Sequence, residues 1–121
     1  MKNFADIDPE RIIYESNRFF VIQDAFPVSP GHSLIISKEL KVNFFDLSKE
    51  EKADLVGLIE IVKGLIEREH KPDGYNIGMN CGAAAGQSVM HFHCHVIPRY
   101  FGDMKNPKGG VRYCIPDKGL Y

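Results

Sequence analysis

Residues 90–97 read MHFHCHVI, and their alternation decides how the rest of the chain is read. A β-strand points successive side chains to opposite faces. His91, His93, His95 and Ile97 therefore share one face, and Met90, Phe92, Cys94 and Val96 share the other. The pattern predicts a strand with an apolar side on a core and a row of imidazoles turned outward. A half-exposed strand carries one histidine as it carries any polar residue. Three at strict alternation, just after the small-residue loop CGAAAGQS (81–88), point to chemistry.

Moving outward, GYNIGMN (74–80) alternates Tyr75, Ile77 and Met79 with Asn76, Gly78 and Asn80, a second strand. Before it lies the one strongly marked helix. Ser48 and Glu51 form a capping box, and Leu55, Leu58, Ile59, Val62, Leu65 and Ile66 recur at three- and four-residue steps. Glu60, Lys63, Glu67 and Arg68 fall mostly off that stripe, and EREHKPDG (67–74) closes the helix. Further back, RIIYES (11–16) and RFFVIQDA (18–25) flank Asn17 as a hairpin, FPVSPG (26–31) is a loop, and HSLIISK (32–38) is another strand. Antiparallel strands with one dominant helix predict an α+β domain with a sheet of about five strands. No repeat, linker or low-complexity tract divides the chain, so residues 1–121 are expected to form a single domain with a core over about 10–100. Residues 101–121, rich in glycine and basic side chains, are expected to be an extended tail that needs something to lie on.

Composition narrows the function classes. The chain has 121 residues, 44% hydrophobic and 26% charged, which leaves room for one core and argues against a disordered or coiled-coil protein. A net charge of −1 gives no general pull towards nucleic acid or a membrane surface. The longest apolar runs, such as FFVI (19–22), are too short to cross a bilayer. The opening MKNFADIDPE reaches Asp6 before an apolar run develops, so no secretory signal is expected. Three cysteines, Cys81, Cys94 and Cys114, with no C-x-x-C spacing, argue against a disulfide framework and a zinc knuckle. The expectation is a small, reduced, cytoplasmic domain.

Two chemistries suit the histidine strand. Alternate Cα atoms lie about 6.6 Å apart, so His91 and His95 stand about 13 Å apart on a straight strand. One metal could take an H-x-H pair but hardly all three rings, and no carboxylate or cysteine is spaced to complete the set. The alternative makes the middle imidazole a nucleophile. A neutral ring attacks phosphorus without bringing negative charge towards a polyanion, and its neighbours donate to phosphoryl oxygens or the leaving group. The loop 81–88 suits this chemistry: Gly82 and Gly86 let backbone N–H groups approach, and Ser88 adds a hydroxyl. It lacks the G-K-[ST] ending of a P-loop.

GQSVMHFHCHVIPR (86–99) resembles the signature of the histidine triad family, H-φ-H-φ-H-φ-φ with φ apolar, preceded by G-Q-S/T. PGHSLIISK (30–38) is similar to the family's P-G-H strand, with His32 as a fourth histidine, and Asp24 falls where the family places a ribose-binding acid. NCGAAAGQS (80–88) matches the family loop, and the resemblance spans about residues 10–100.

The resemblance implies the histidine triad fold and a set of roles. His93 is expected to be the nucleophile on an α-phosphate, passing through a nucleotidyl-histidine to a nucleoside monophosphate. His95 and His91 are its phosphate-binding and network partners, and His32 extends the network. Gln87 and Ser88 hold phosphate or leaving-group oxygens, with Asn80 nearby. Asp24 accepts from ribose hydroxyls, and Ile22 touches the base. Members of the transferase branch have glutamine where His95 stands, so hydrolysis is expected. The substrate implied is a purine nucleotide, AMP-containing: a dinucleoside polyphosphate or a nucleoside phosphoramidate. Members with a structural zinc carry an N-terminal C-x-x-C. This chain has Asn3-Phe4-Ala5-Asp6 in that region, so no zinc and no cofactor are expected. The family commonly pairs through its central helix and an adjoining strand, so a homodimer is expected. Two rivals stay open: a nucleotide-binding regulatory or scaffold protein with incidental hydrolysis, and an H-x-H metalloprotein. His70 and the basic group Lys105, Lys108 and Arg112 are read as solvated surface, and Cys81 and Cys114 as exposed, non-catalytic thiols.

Overall fold

A computed structural model describes residues 3–121. Met1 and Lys2, on which the reading of the opening partly rests, lie outside the described residues. Five strands form one antiparallel sheet: β1 (Ile12–Glu15), β2 (Phe19–Gln23), β3 (Ser33–Ser37), β4 (Gly74–Gly78) and β5 (His93–Arg99). Their order across the sheet is β1-β2-β3-β5-β4, so the histidine strand is internal and β4 lies at an edge. One helix, α1 (Lys49–Glu67), connects β3 to β4. This is the α+β arrangement the alternation predicts. No helix among the described residues is long and apolar enough to cross a membrane.

The helix begins where the capping box places it. Ser48 accepts from the Glu51 N–H, and Glu51 accepts from the Ser48 N–H. Leu55, Leu58, Val62 and Ile66 are buried against Phe19, Val21, Ile35, Phe92, Cys94 and Val96. That is one face of the sheet. Phe20, Ile22, Leu34 and Ile36 occupy the opposite face, packed with Phe4 and Ile7. Both faces of β2 and β3 are therefore covered, which is why FFVI and SLIIS are unbroken runs rather than alternating ones.

The domain extends further towards the N-terminus than residue 10, because the segment around Phe4 and Ile7 closes the second face. Register then places the chemistry. Ile36 pairs with His93 and Leu34 with His95, so both imidazoles emerge on the face that this segment covers. The histidine strand begins at His93 rather than Met90. The preceding Phe92 N–H turns to the carbonyl of Lys41, in the loop after β3, instead of a strand partner. The strand also runs on to Arg99 through Pro98, which pairs with Tyr75 of β4 beyond the end of β3's ladder, where no partner on that side loses a bond.

The tail differs from its expected form. Residues 110–118 fold into two short 3-10 turns, Gly110–Cys114 and Pro116–Lys118. Arg112 closes them by donating to the carbonyls of Lys118 and Gly119, and its guanidinium stacks on Tyr121. Arg112 is thus a fastener of the tail, whereas the solvated reading left it idle.

Candidate active site

His93 is held by the backbone two residues before it. Its Nδ1 lies 2.8 Å from the carbonyl of His91, and a carbonyl only accepts, so Nδ1 carries the proton. In the neutral ring the lone pair is then on Nε2, for which the described residues provide no hydrogen-bond partner. Main-chain geometry has fixed the tautomer of the middle histidine.

His91 is fixed in the opposite sense. The Phe4 N–H donates to its Nδ1 at 3.0 Å, and its Nε2 donates to the Ser37 carbonyl at 2.6 Å. The outward-facing imidazole row therefore holds for His93 and His95 only. His91 is 1% exposed, because the N-terminal segment folds over it, and both its nitrogens are used inside the protein. It can position His93 but has no free nitrogen for a ligand.

The remaining two histidines form a relay. The Val28 N–H donates to His32 Nδ1 at 3.0 Å, so the proton of His32 sits on Nε2. That nitrogen lies 2.9 Å from His95 Nδ1 and 3.4 Å from an Asp24 oxygen. His95 accepts the shorter bond, which leaves its own proton on Nε2. Burial pushes His95 down to about 4, with neighbouring His93 and His32 adding to the shift. His32 and His91 are also lowered by burial, the first against an opposing pull from Asp24. Neutral rings are what the hydrogen bonds require.

Gly31 makes the turn that delivers His32. It has φ of +94°, and a Cβ there would come within 3.1–3.3 Å of His70, Pro98 and Ile66. Ser29, in the same loop, donates to the Pro98 carbonyl and ties the loop to β5.

His93 and His95 open into a cleft of about 590 Å³ with Asp24, Ile22, Ser88 and Asn80 in its lining. The structure thus brings these six expected residues to one place. Ser88 and Asn80 are exposed there, while Ile22 is buried at its base. Asp24 caps its own loop by accepting from the Phe26 N–H at 2.8 Å. Gln87 sits differently. It is buried, its amide donates to the carbonyls of Val42 and Val89, and its oxygen accepts from the Gly82 N–H. All of its polar atoms shape the loop, so they do not point into the cleft.

Phe4 and Arg11 also line the cleft, and neither was expected. An isolated aromatic and a lone arginine near an irregular N-terminus carry no periodicity that would have marked them. On the other side of His95 a second cleft of about 860 Å³ shares His95, Asn80 and Gly86. Val111, Cys114 and Ile115 of the tail form its far wall.

Among the described residues, Asp24, His32 and His95 offer ligand atoms within 4.8 Å of one another. The His32 and His95 nitrogens are 2.9 Å apart, closer than the roughly 3.4 Å that two ligands set tetrahedrally about one zinc would keep. The spacing suits a shared proton. The His91–His93 pair is not turned towards a common point, since His91 uses both its nitrogens inside the protein and His93 gives its Nδ1 proton to a carbonyl. Burial pushes the Cys94 thiol up to about 12, so that cysteine is a packing residue; Cys81 is half-buried and Cys114 exposed.

Comparisons with known proteins give the family. A family model described as HIT domain matches residues 6–102. The bis(5'-adenosyl)-triphosphatase of Saccharomyces cerevisiae strain YJM789 is 35% identical over 92 residues, 75% of this chain and 45% of that protein. The chain therefore spans less than half the length of the yeast relatives it matches. An uncharacterized HIT-like protein of Methanocaldococcus jannaschii is 38% identical over 104 residues, covering 84% of this chain and 78% of its own. The crystal structure of a HIT family protein from Bacillus anthracis aligns with a TM-score of 0.72 at 35% identity, over 76% of this chain and 65% of that one. With the family model covering most of the sequence and the triad strand internal to the sheet, this chain belongs to the HIT domain family.

Proposed function

We propose that this chain is a nucleotide hydrolase, cleaving dinucleoside polyphosphates or nucleoside phosphoramidates at the α-phosphorus through a covalent intermediate on His93. One observation carries the reading. The main chain holds the proton of His93 on Nδ1, which leaves the Nε2 lone pair at the cleft. The name of the yeast relative supports an adenosine-containing substrate.

In the first step Nε2 bonds to the α-phosphorus. The bond from phosphorus to the leaving oxygen or nitrogen breaks, and its electron pair departs with the leaving group. The ring becomes cationic while Nδ1–H stays on the His91 carbonyl, which stabilises that charge. His95, with its proton on Nε2, donates a hydrogen bond to a phosphoryl oxygen or to the leaving atom, and an amine leaving group takes its proton from solvent. In the second step a water oxygen bonds to phosphorus and the N–P bond breaks. The electron pair returns to Nε2, the water proton passes to solvent, and a nucleoside monophosphate leaves. Both steps run on the residues named, with no metal assigned a part.

Asp24 and Ile22 take the ribose and base in the smaller cleft, Ser88 and Asn80 meet phosphate oxygens, and Gln87 acts by holding the loop. The larger cleft has room for the departing half of the substrate. The test is hydrolysis of diadenosine triphosphate in ¹⁸O-water with excess chelator. One heavy oxygen in AMP and none in ADP is expected. Label in ADP, or no turnover of this substrate, diadenosine tetraphosphate and an adenosine phosphoramidate alike, would overturn the reading.

Pairing of two copies belongs to the same proposal. Ile77 is 42% exposed on the edge strand β4, and a second copy against it would bury apolar area that so small a domain needs. Light scattering should return twice the 13.7 kDa chain mass, and a single-chain mass would overturn it.

A further inference from the structure

The N-terminal segment looks at first like packing on the far face of the sheet. Its hydrogen bonds say more. Phe4 is 8% exposed, and its N–H donates to His91 Nδ1 at 3.0 Å. Its ring meets His91 and His93 edge-on, with centroids 5.7 and 5.2 Å away. His91 in turn gives its Nε2 proton to Ser37 and its carbonyl to His93 Nδ1. These contacts form a chain: Phe4 N–H, His91 ring, His91 main chain, His93 ring.

We propose that Phe4 is a positioning residue for the His93 nucleophile, acting through its backbone N–H on His91. A donor aimed at Nδ1 keeps that nitrogen unprotonated, so the ring's one N–H proton sits on Nε2, which donates to the Ser37 carbonyl. With both ring nitrogens tethered, the His91 main chain is anchored between β3 and the N-terminal segment. Its carbonyl stays where it accepts from His93, so the lone pair of His93 stays on the cleft side. The Phe4 ring closes the edge of both imidazoles and lines the cleft. The Phe4 backbone on this account positions the site through His91, without touching the reacting atoms. The inference rests on the hydrolase reading for its kinetic part, and on the structure alone for its tautomer part.

The test uses two variants of the full chain. Phe4→Pro removes the N–H, and Phe4→Leu keeps it while removing the aromatic edge. Histidine-selective ¹⁵N spectra report the tautomers, and kcat and KM for diadenosine triphosphate report the consequence. In wild type, His91 should show its proton on Nε2 and His93 on Nδ1. Phe4→Pro should shift the His91 Nδ1 resonance and lower kcat about tenfold with KM within about twofold, the size of effect seen when outer-shell partners are lost. Phe4→Leu should leave the His91 resonances in place and kcat within about threefold. Equal kcat losses in the two variants would make Phe4 mere packing and overturn the proposal. So would a Phe4→Pro protein with unchanged His91 resonances. Should that substitution prevent folding, wild-type spectra showing His91 protonated on Nδ1 would still overturn it, and the expected pair of tautomers together with a normal Phe4→Leu would uphold it. A wild type with the expected spectra and no turnover would overturn the hydrolase reading and the kinetic role with it, and leave the tautomer assignment standing.

Discussion

The start of β5 and its middle hold their imidazoles by different means. At the start, His93 and, two residues before the strand, His91 are clamped by main-chain groups: the Phe4 N–H, the Ser37 carbonyl and the His91 carbonyl. In the middle, His95 is held by another side chain, His32, which also faces Asp24. Backbone groups accept or donate in one sense only, so the first arrangement fixes which nitrogen bears the proton in each neutral ring. Side chains do titrate, so the second can rearrange. The difference teaches that the fold itself fixes the His93 end, whereas the His95 end depends on the protonation of its neighbours.

The sharpest way to break this comparison is His93→Asn. If the lone pair does the chemistry, turnover should fall by about 10⁴-fold or more with melting temperature little changed. A loss under about tenfold would move the chemistry elsewhere in the site.

Next is His32→Leu, which removes the relay and leaves the clamped end alone. His95 Nδ1 loses its donor and the Val28 N–H loses its acceptor. Turnover should drop about 10–100-fold, and the His93 tautomer in ¹⁵N spectra should stay as in wild type. A changed His93 tautomer would show that the two ends are one unit.

Gln87→Ala probes the loop beside both ends. It unpairs the Gly82 N–H and the carbonyls of Val42 and Val89, and should cost about 1–3 kcal/mol in denaturant unfolding. A stability change within experimental scatter would mean that the loop holds itself.

The smallest expected effect is on pH dependence. The folded value of His95 is about 4, below its ordinary value of 6.5, so the unfolded chain binds a proton that the folded chain resists between those values. His32 and His91 shift in the same direction. Stability should therefore hold above about pH 6.5 and fall as pH drops towards 4, by several degrees of melting temperature in calorimetry. A melting temperature that is flat over this range would contradict neutral, buried rings.

Much of the fold was legible because periodic pattern reports burial directly. Phe92, Cys94 and Val96 alternate with the histidines because one side of β5 meets the helix, and Ser48 with Glu51 marks where that helix starts. What escaped is what has no period. Phe4 and Ile7 cover a sheet face from an irregular segment, so the burial of His91 beneath them could not be read from its own strand. The family resemblance implies a phosphate contact for Gln87, and only the positions of Val42 and Gly82, distant or irregular in sequence, show that its amide is spent internally. The tail fastens on itself through Arg112, a contact between side chain and backbone that no composition reveals.

The central claim is that His93 carries the nucleotidyl group. The direct measurement is intact mass of the protein quenched in base during turnover of diadenosine triphosphate, with peptide mapping of the adduct. The account predicts one added AMP moiety on His93 in wild type and none in His93→Asn. An adduct on another residue, or turnover that persists in His93→Asn, would contradict it.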